Sequence, residues 1–229
     1  ISGTDYNAST FATGLSYATG LCIAPDGNLY VTKFYEGNVT RITPQGVKTV
    51  VQSGFNRPCA VAVDGNGTIW IANTYSSQIV RIGQDNIRHT WQGMRAQHIA
   101  LGPNGDLYVA SQTDQTIRRI GATDPVRPIG QVEITAGNSQ QAGYRNGRAA
   151  ESRFKDITGI AVAPSGNIYV ADFGTIRRIL PTGHVATLTG KPGEFGFVNG
   201  NVIEARFWNI AGAQIRNLFQ LALNRELAK

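Results

Sequence analysis

The stretch Asp156–Gly190, DITGIAVAPSGNIYVADFGTIRRILPTGHVATLTG, decides the fold of this chain. Gly159–Val162 is a short apolar run, and Pro164-Ser165-Gly166-Asn167 is turn chemistry. Ile168–Ala171 reads as a second strand, and Gly174 breaks the chain before a third, Ile176–Ile179. After Pro181-Thr182-Gly183, the alternating run Val185–Thr189 closes the unit at Gly190. Short runs of strand formers, punctuated by Gly, Pro, Asn and Ser, predict a four-stranded antiparallel meander.

The rest of the chain restates that unit. Aligned on Gly27, Gly67, Gly105 and Gly166, the copies are Leu21–Thr32 (LCIAPDGNLYVT), Val61–Ala72 (VAVDGNGTIWIA), Ile99–Ala110 (IALGPNGDLYVA) and Ile160–Ala171 (IAVAPSGNIYVA). Each leads to an "RI" strand at Val39–Ile42, Ile79–Ile82, Ile117–Ile120 or Ile176–Ile179. A fourth strand follows at Val47–Val51, Arg88–Trp91, Val132–Thr135 and Val185–Thr189. Four strands in a repeat of about 40 residues predict a β-propeller.

The run G-I-A-V-x-x-x-G-N-I-Y-V-A-D…I-R-R-I…G-x-V-x-T-L-x-G resembles the NHL repeat of β-propellers, with copies over most of Leu15–Gly190. The resemblance implies an all-β propeller in a single domain over 1–229, with four recognisable blades and a partial fifth. It is specific for fold and uninformative for activity, because the family spans lyases, hydrolases, and protein- or RNA-binding modules. A longer element also recurs at a constant offset of 53 residues. Gly143-Tyr144-Arg145-Asn146-Gly147 with Glu151-Ser152-Arg153-Phe154 is echoed by Gly196-Phe197-Val198-Asn199-Gly200 with Glu204-Ala205-Arg206-Phe207. This G-aromatic-x-N-G…E-x-R-F insert resembles those between blades of bacterial NHL proteins. Its Phe is expected to plug between neighbouring sheets while its Glu and Arg pair locally.

The two ends depart from the pattern. Residues 8–13 are expected to form the outer strand of the closing blade, so that the termini share one sheet and hide its edges. The last blade starts at Ile210–Ala213 and then loses its turn. Residues 214–229 read either as a degenerate blade, with Asn217-Leu218-Phe219 matching Asn167-Ile168-Tyr169, or as an amphipathic helix. Ile215, Leu218, Phe219, Ala222, Leu223 and Leu227 share one helical face, and the helical spacing fits better. Such a helix would cover a blade edge or dock on another chain, so dimerisation through the incomplete blade is one expectation.

Composition narrows the class. Charged residues are 16% and glycines number 27, which argues against a coiled coil or a disordered chain. No apolar run approaches the roughly 20 residues of a membrane-spanning helix. The start Ile1–Asp5 has no basic or apolar leader region, so an export signal is absent or already removed. A secreted, periplasmic or cell-surface setting is expected over a cytoplasmic one. Cys22 and Cys59 do not make a disulfide framework, and Cys22 is expected to be a small buried thiol.

In a propeller the ligand end of the channel is formed by the loops that enter the first strand and leave the second. Here those loops offer Lys33, Phe34, Tyr35, Arg57, Asn73, Tyr75, Arg95, Gln97, His98, Ser111, Gln112, Asp172 and Phe173. The candidate ligand residues are Lys33, Tyr35, Arg57, Asn73, Tyr75, Arg95, His98 and Asp172, a mixture suited to a polar or anionic ligand. For Asn73 and Asp172 a cap on the following turn is the favoured expectation, whereas Lys33 cannot cap in that way and is the more informative member.

Arg41, Arg81, Arg119 and Arg178 occupy one repeated position, with Arg118 and Arg177 beside two of them. They are expected to lay their stems on the adjoining sheet and keep their guanidiniums in water. The formal charge of +6 is therefore spread around the ring, which weakens the case for a nucleic acid. Lys33, Arg57 and Arg95, with Phe34, Tyr35 and Tyr75 for stacking, are that alternative's best residues. No catalytic residue, metal ligand or cofactor is assigned, because His98 has no spaced carboxylate or thiolate partners and no nucleophile or phosphate motif appears. The expected role is non-catalytic recognition of a protein, glycan or small polar ligand. The resemblance keeps two alternatives: a metal-dependent lyase or lactonase, and an RNA-binding propeller.

Overall fold

The computed structural model describes residues 9–121 and 132–196, with Ala205 and Phe207. Among the described residues, sixteen strands form four antiparallel meanders in chain order, and a short seventeenth joins the edge of the last. The first sheet holds β1 (Ala18–Ile23), β2 (Leu29–Lys33), β3 (Asn38–Ile42) and β4 (Lys48–Ser53). The second holds β5 (Ala60–Val63), β6 (Ile69–Asn73), β7 (Gln78–Ile82) and β8 (Arg88–Gln92). In the third are β9 (Ala96–Leu101), β10 (Leu107–Ser111), β11 (Thr116–Ile120) and β12 (Val132–Ala136). The fourth carries β14 (Ile157–Val162), β15 (Ile168–Asp172), β16 (Thr175–Ile179) and β17 (His184–Gly190), and the short β13 (Gly147–Arg148) adds to its outer edge. Gly27, Gly67, Gly105 and Gly166 all have φ between 77 and 84°, a region open to glycine, so the turns on which the copies align are backbone requirements.

The first strands β1, β5, β9 and β14 lie side by side in sequence order, and the sheets stack face to face around them. This is the blade arrangement of a propeller. Each space between blades has its own core. Tyr30, Val39 and Phe55 meet Val61, Ile71 and Ile82 between the first and second blades. Trp70, Ile79 and Trp91 meet Leu107, Val109 and Ile120 between the second and third. Ala110, Ile117 and Phe154 meet Ile160, Val170 and Val185 between the third and fourth. Register decides these contacts: Val61, Ile99 and Ile160 hold one repeat position, and each faces the preceding blade. Leu21 holds that position in the first blade and is 63% exposed, with Ile23 at 67%.

The arginines of the repeated position stay partly exposed, whereas Arg177 beside one of them departs from expectation. Each of the four sits directly across from an aromatic residue in its own sheet, as Tyr30–Arg41, Trp70–Arg81, Tyr108–Arg119 and Tyr169–Arg178. Arg81 lies 5.8 Å from the Trp70 ring, and Arg119 pairs with Asp106 and Glu133 at 2.9 and 2.8 Å. Arg177 is wholly buried, and its guanidinium is not in water. It donates to Asp172 Oδ2 at 2.9 Å, to the Arg153 carbonyl at 2.6 Å and to Asn146 Oδ1 at 3.0 Å. The rings of Phe154 and Tyr144 lie 4.4 and 4.6 Å from the same cation. Burial is tolerable because carboxylate, carbonyl and amide oxygens replace the water of its two terminal nitrogens, while Nε has no hydrogen-bond partner.

Arg177 thereby ties the insert to the fourth blade. Phe154 is fully buried between the third and fourth blades, the plug expected of it. The expected Glu151–Arg153 pair does not form: Arg153 Nε is buried without a hydrogen-bond partner. Ser152 holds the turn instead, its Oγ accepting from Gly137 N at 3.1 Å and donating to the Ala149 carbonyl at 2.7 Å. Phe207 repeats the arrangement one step on, packing against Ala161, Tyr169, Ala171 and Ile176 on the far face of the fourth blade.

The N-terminal segment expected as a closing strand shows no strand over its described residues, 9–13; Lys48 Nζ donates to the Thr13 carbonyl at 2.7 Å beside β4. The expected C-terminal helix or degenerate blade, 214–229, lies outside the described residues. Cys22 is half-buried, and Cys22 and Cys59 are not bridged to each other.

Candidate functional site

One backbone contact recurs in each blade and builds the site. The N–H just after the second strand donates to the carbonyl of a residue leading into the first. The bonds are Phe34 to Tyr17 at 3.0 Å, Tyr75 to Asn56 at 3.2 Å, Gln112 to Arg95 at 2.8 Å and Phe173 to Asp156 at 3.1 Å. The two loops of every blade are thus clamped together at the same end. Side chains brace the clamp in two blades. Asn73 Oδ1 accepts from Asn56 N at 2.7 Å, and Asp172 Oδ1 accepts from the N–H groups of Lys155 and Asp156 at 2.9 Å each. Both residues are buried, and each braces the entering loop where a cap on its own following turn was expected.

The clamps of the first three blades gather an aromatic and cationic rim. Phe34 meets Tyr35 at 5.0 Å and Tyr75 at 5.5 Å, and Tyr17 meets Tyr35 at 4.6 Å, all edge to face. The Arg57 guanidinium lies 4.6, 5.6 and 5.8 Å from the rings of Tyr75, Phe34 and Tyr35. Arg95 approaches the same Tyr75 ring at 5.4 Å. Such contacts hold a cation in place while leaving its N–H edge available. Tyr17, Tyr35 and Tyr75 remain exposed.

A cavity of about 410 Å³ is lined by the same loops of the third and fourth blades and by Phe195 and Phe207, which follow the fourth. Gln97, Gln112, Asp156 and Thr158 supply its polar wall, and Phe173, Phe195 and Phe207 its aromatic one. Lys155 Nζ sits 4.0 Å over Phe173, which meets Phe195 at 5.7 Å. Amides, hydroxyls and ring faces suit hydrogen bonding and stacking with a small polyhydroxy or amide compound.

Of the eight candidate residues, Tyr35, Arg57, Tyr75 and Arg95 come together in the rim. Lys33 is ion-paired to Glu36, and that cation lowers the Glu36 carboxyl below its ordinary range. Asn73 and Asp172 brace loops. His98, on β9, is largely buried, and the loss of hydrating water lowers its pKa to about 4, so it is neutral at physiological pH. Its repeat position is Gly20, Ala60 and Gly159 in the other blades. Tyr17 and the cavity residues Asp156, Thr158 and Phe195 were not among the candidates. Tyr17 and Asp156 could have been found, since each stands where Arg57 and Arg95 stand in the repeat alignment. Among the described residues, no three His, Cys, Asp or Glu side chains gather closely enough to hold a metal ion.

No family model matches the sequence. Among solved structures, an auxiliary nutrient binding protein from Bacteroides ovatus aligns with a TM-score of 0.72 at 17% identity, covering 86% of this chain and 53% of that one. A streptogramin B lyase aligns at 0.56 and 18%, over 76% of this chain and 55% of its own. A gluconolactonase from Xanthomonas campestris gives 0.59 and 13%, over 78% and 63%. The likeness is one of fold, and it defines the class: an all-β protein of four-stranded antiparallel blades, of propeller type. The chain spans little more than half the length of the first two structures it matches.

Proposed function

We propose that this chain is a recognition propeller of NHL type, which binds a polar ligand where its blade loops are clamped together. The carrying observation is the recurring clamp. It delivers Tyr35, Arg57, Tyr75 and Arg95, together with the cavity, to one end of four successive blades. Exposed rings that already hold cations form a preordered surface, which lowers the entropy lost on binding. The likeness to a nutrient binding protein agrees with this role.

Calorimetric titration against glycan, peptide and small polar ligand panels tests the reading. At least one class binds, and its affinity falls about tenfold or more in Arg57→Ala/Tyr75→Ala or in Gln97→Ala/Gln112→Ala, with melting temperature unchanged. Affinity unchanged in both variants would refute the placement at this end.

A metal-dependent lyase or lactonase, the alternative that the repeat resemblance implies, is the second reading, and two matched structures are named a lyase and a gluconolactonase. The described residues do not assemble its donor set, since Asp172 is engaged by Arg177 and two backbone N–H groups. Stoichiometric calcium, magnesium or zinc in the purified protein would revive it. An RNA-binding face is less well supported, because Lys33, one of its three best cations, is ion-paired to Glu36 and leaves Arg57 and Arg95 alone to carry it.

A further inference from the structure

Resting on the recognition reading, we propose that the rim selects an acidic oligosaccharide, with Arg57 and Arg95 taking a sugar carboxylate and the neighbouring tyrosines taking the sugar rings. Charge is the first argument. Arg57 and Arg95 make no ion pair among the described residues, whereas Lys33, Arg118, Arg119 and Arg177 each have an acidic partner. Both cations approach one ring, Tyr75, at 4.6 and 5.4 Å, so two planar donor forks sit around one aromatic post. A guanidinium fork matches a carboxylate in shape and gains a charge-assisted bond to it.

Ring geometry is the second argument. Tyr17 is 68% exposed, Tyr35 63% and Tyr75 46%, in a group whose rings meet at 86 to 89°. Perpendicular rings make a stepped wall, which a puckered sugar with C–H groups on both faces fits better than a stack of flat bases. Counting cations gives the same choice. A single-stranded nucleic acid needs a continuous basic track, and this rim offers two unpaired guanidiniums. A uronate chain carries its charge once per sugar, which two adjacent cations can satisfy.

The test is calorimetry at physiological ionic strength with oligogalacturonate, oligomannuronate and hyaluronan fragments. Their methyl esters keep the sugar but remove the charge; poly(U) and poly(Glu) represent other anions. At least one acidic sugar binds, and esterification or Arg57→Gln/Arg95→Gln weakens it about tenfold or more. Tyr75→Ala does so to a similar extent without changing the circular dichroism. The ester comparison needs no variant, so a misfolded variant cannot decide the matter. Equal binding of acid and ester overturns charge selection and leaves the recognition reading standing. Tighter binding of poly(U) or poly(Glu) than of any sugar overturns the ligand class. Failure of all acidic sugars overturns the proposal, and the recognition reading falls with it only if the broader panels also find nothing.

Discussion

Arg177 and Asp172 form an ion pair with no exposed side-chain surface, which fixes the insert against the fourth blade. Asp172→Asn preserves an acceptor for the N–H groups of Lys155 and Asp156 but strands a buried cation. The expected loss is about 3–5 kcal/mol of unfolding free energy by urea titration, the usual cost of removing one partner of a buried pair. Asp172→Asn/Arg177→Met should cost less than the sum of its single variants. His98 predicts a pH response. Its folded pKa of about 4 lies below the ordinary 6.5, so its contribution is complete above pH 6.5 and is lost as pH falls toward 4. The loss is at most about 3 kcal/mol. His98→Ala, matching the small residues of the other blades, should flatten the melting temperature between those pH values. An unchanged slope would mean that His98 is not the group responsible.

Among the elements, the insert shows how a repeated motif is enforced by backbone approach. Gly137 has φ 99°, and a Cβ there would stand 2.9 Å from the Gln115 carbonyl; at Gly190, φ 92°, it would stand 2.6 Å from the Gly174 carbonyl. Each glycine also abuts the plugging Phe of its own copy, Phe154 or Phe207. Gly137→Ala and Gly190→Ala should each lose about 2 kcal/mol or more in denaturant unfolding. Gly65→Ala, where nothing lies within 4 Å, should be neutral or slightly stabilising. Phe154→Ala should cost about 3–5 kcal/mol. The motif was legible because G-aromatic-x-N-G…E-x-R-F recurs at a fixed offset. Its internal bonding was not: Arg153 and Arg177 are both arginines near acids in sequence, and only packing decides which is taken inside.

Across the whole molecule, one repeat position has two environments. Ile160 is buried against the third blade, whereas Leu21 has no described blade before it. Ile160→Ala should therefore cost about 2–5 kcal/mol and Leu21→Ala much less, measured by urea unfolding. Equal costs would reveal a blade covering Leu21 in solution.

Strand positions, turns and the all-β class were readable from the chain alone, because strand period, turn glycines and repeat length are local properties. The eight candidate residues were readable only as a loop set. Which of them meet depended on the clamp between entering and leaving loops, which brings residues about 17 apart in sequence into hydrogen-bond contact in every blade. Tertiary structure alone separated the exposed Arg57–Tyr75–Arg95 group from Asn73 and Asp172, buried at equivalent loops. The physical reason is that exposure and charge pairing belong to the assembled blades. Neighbouring side chains from other sheets decide whether a given arginine is solvated, stacked on a ring or sealed beside a carboxylate.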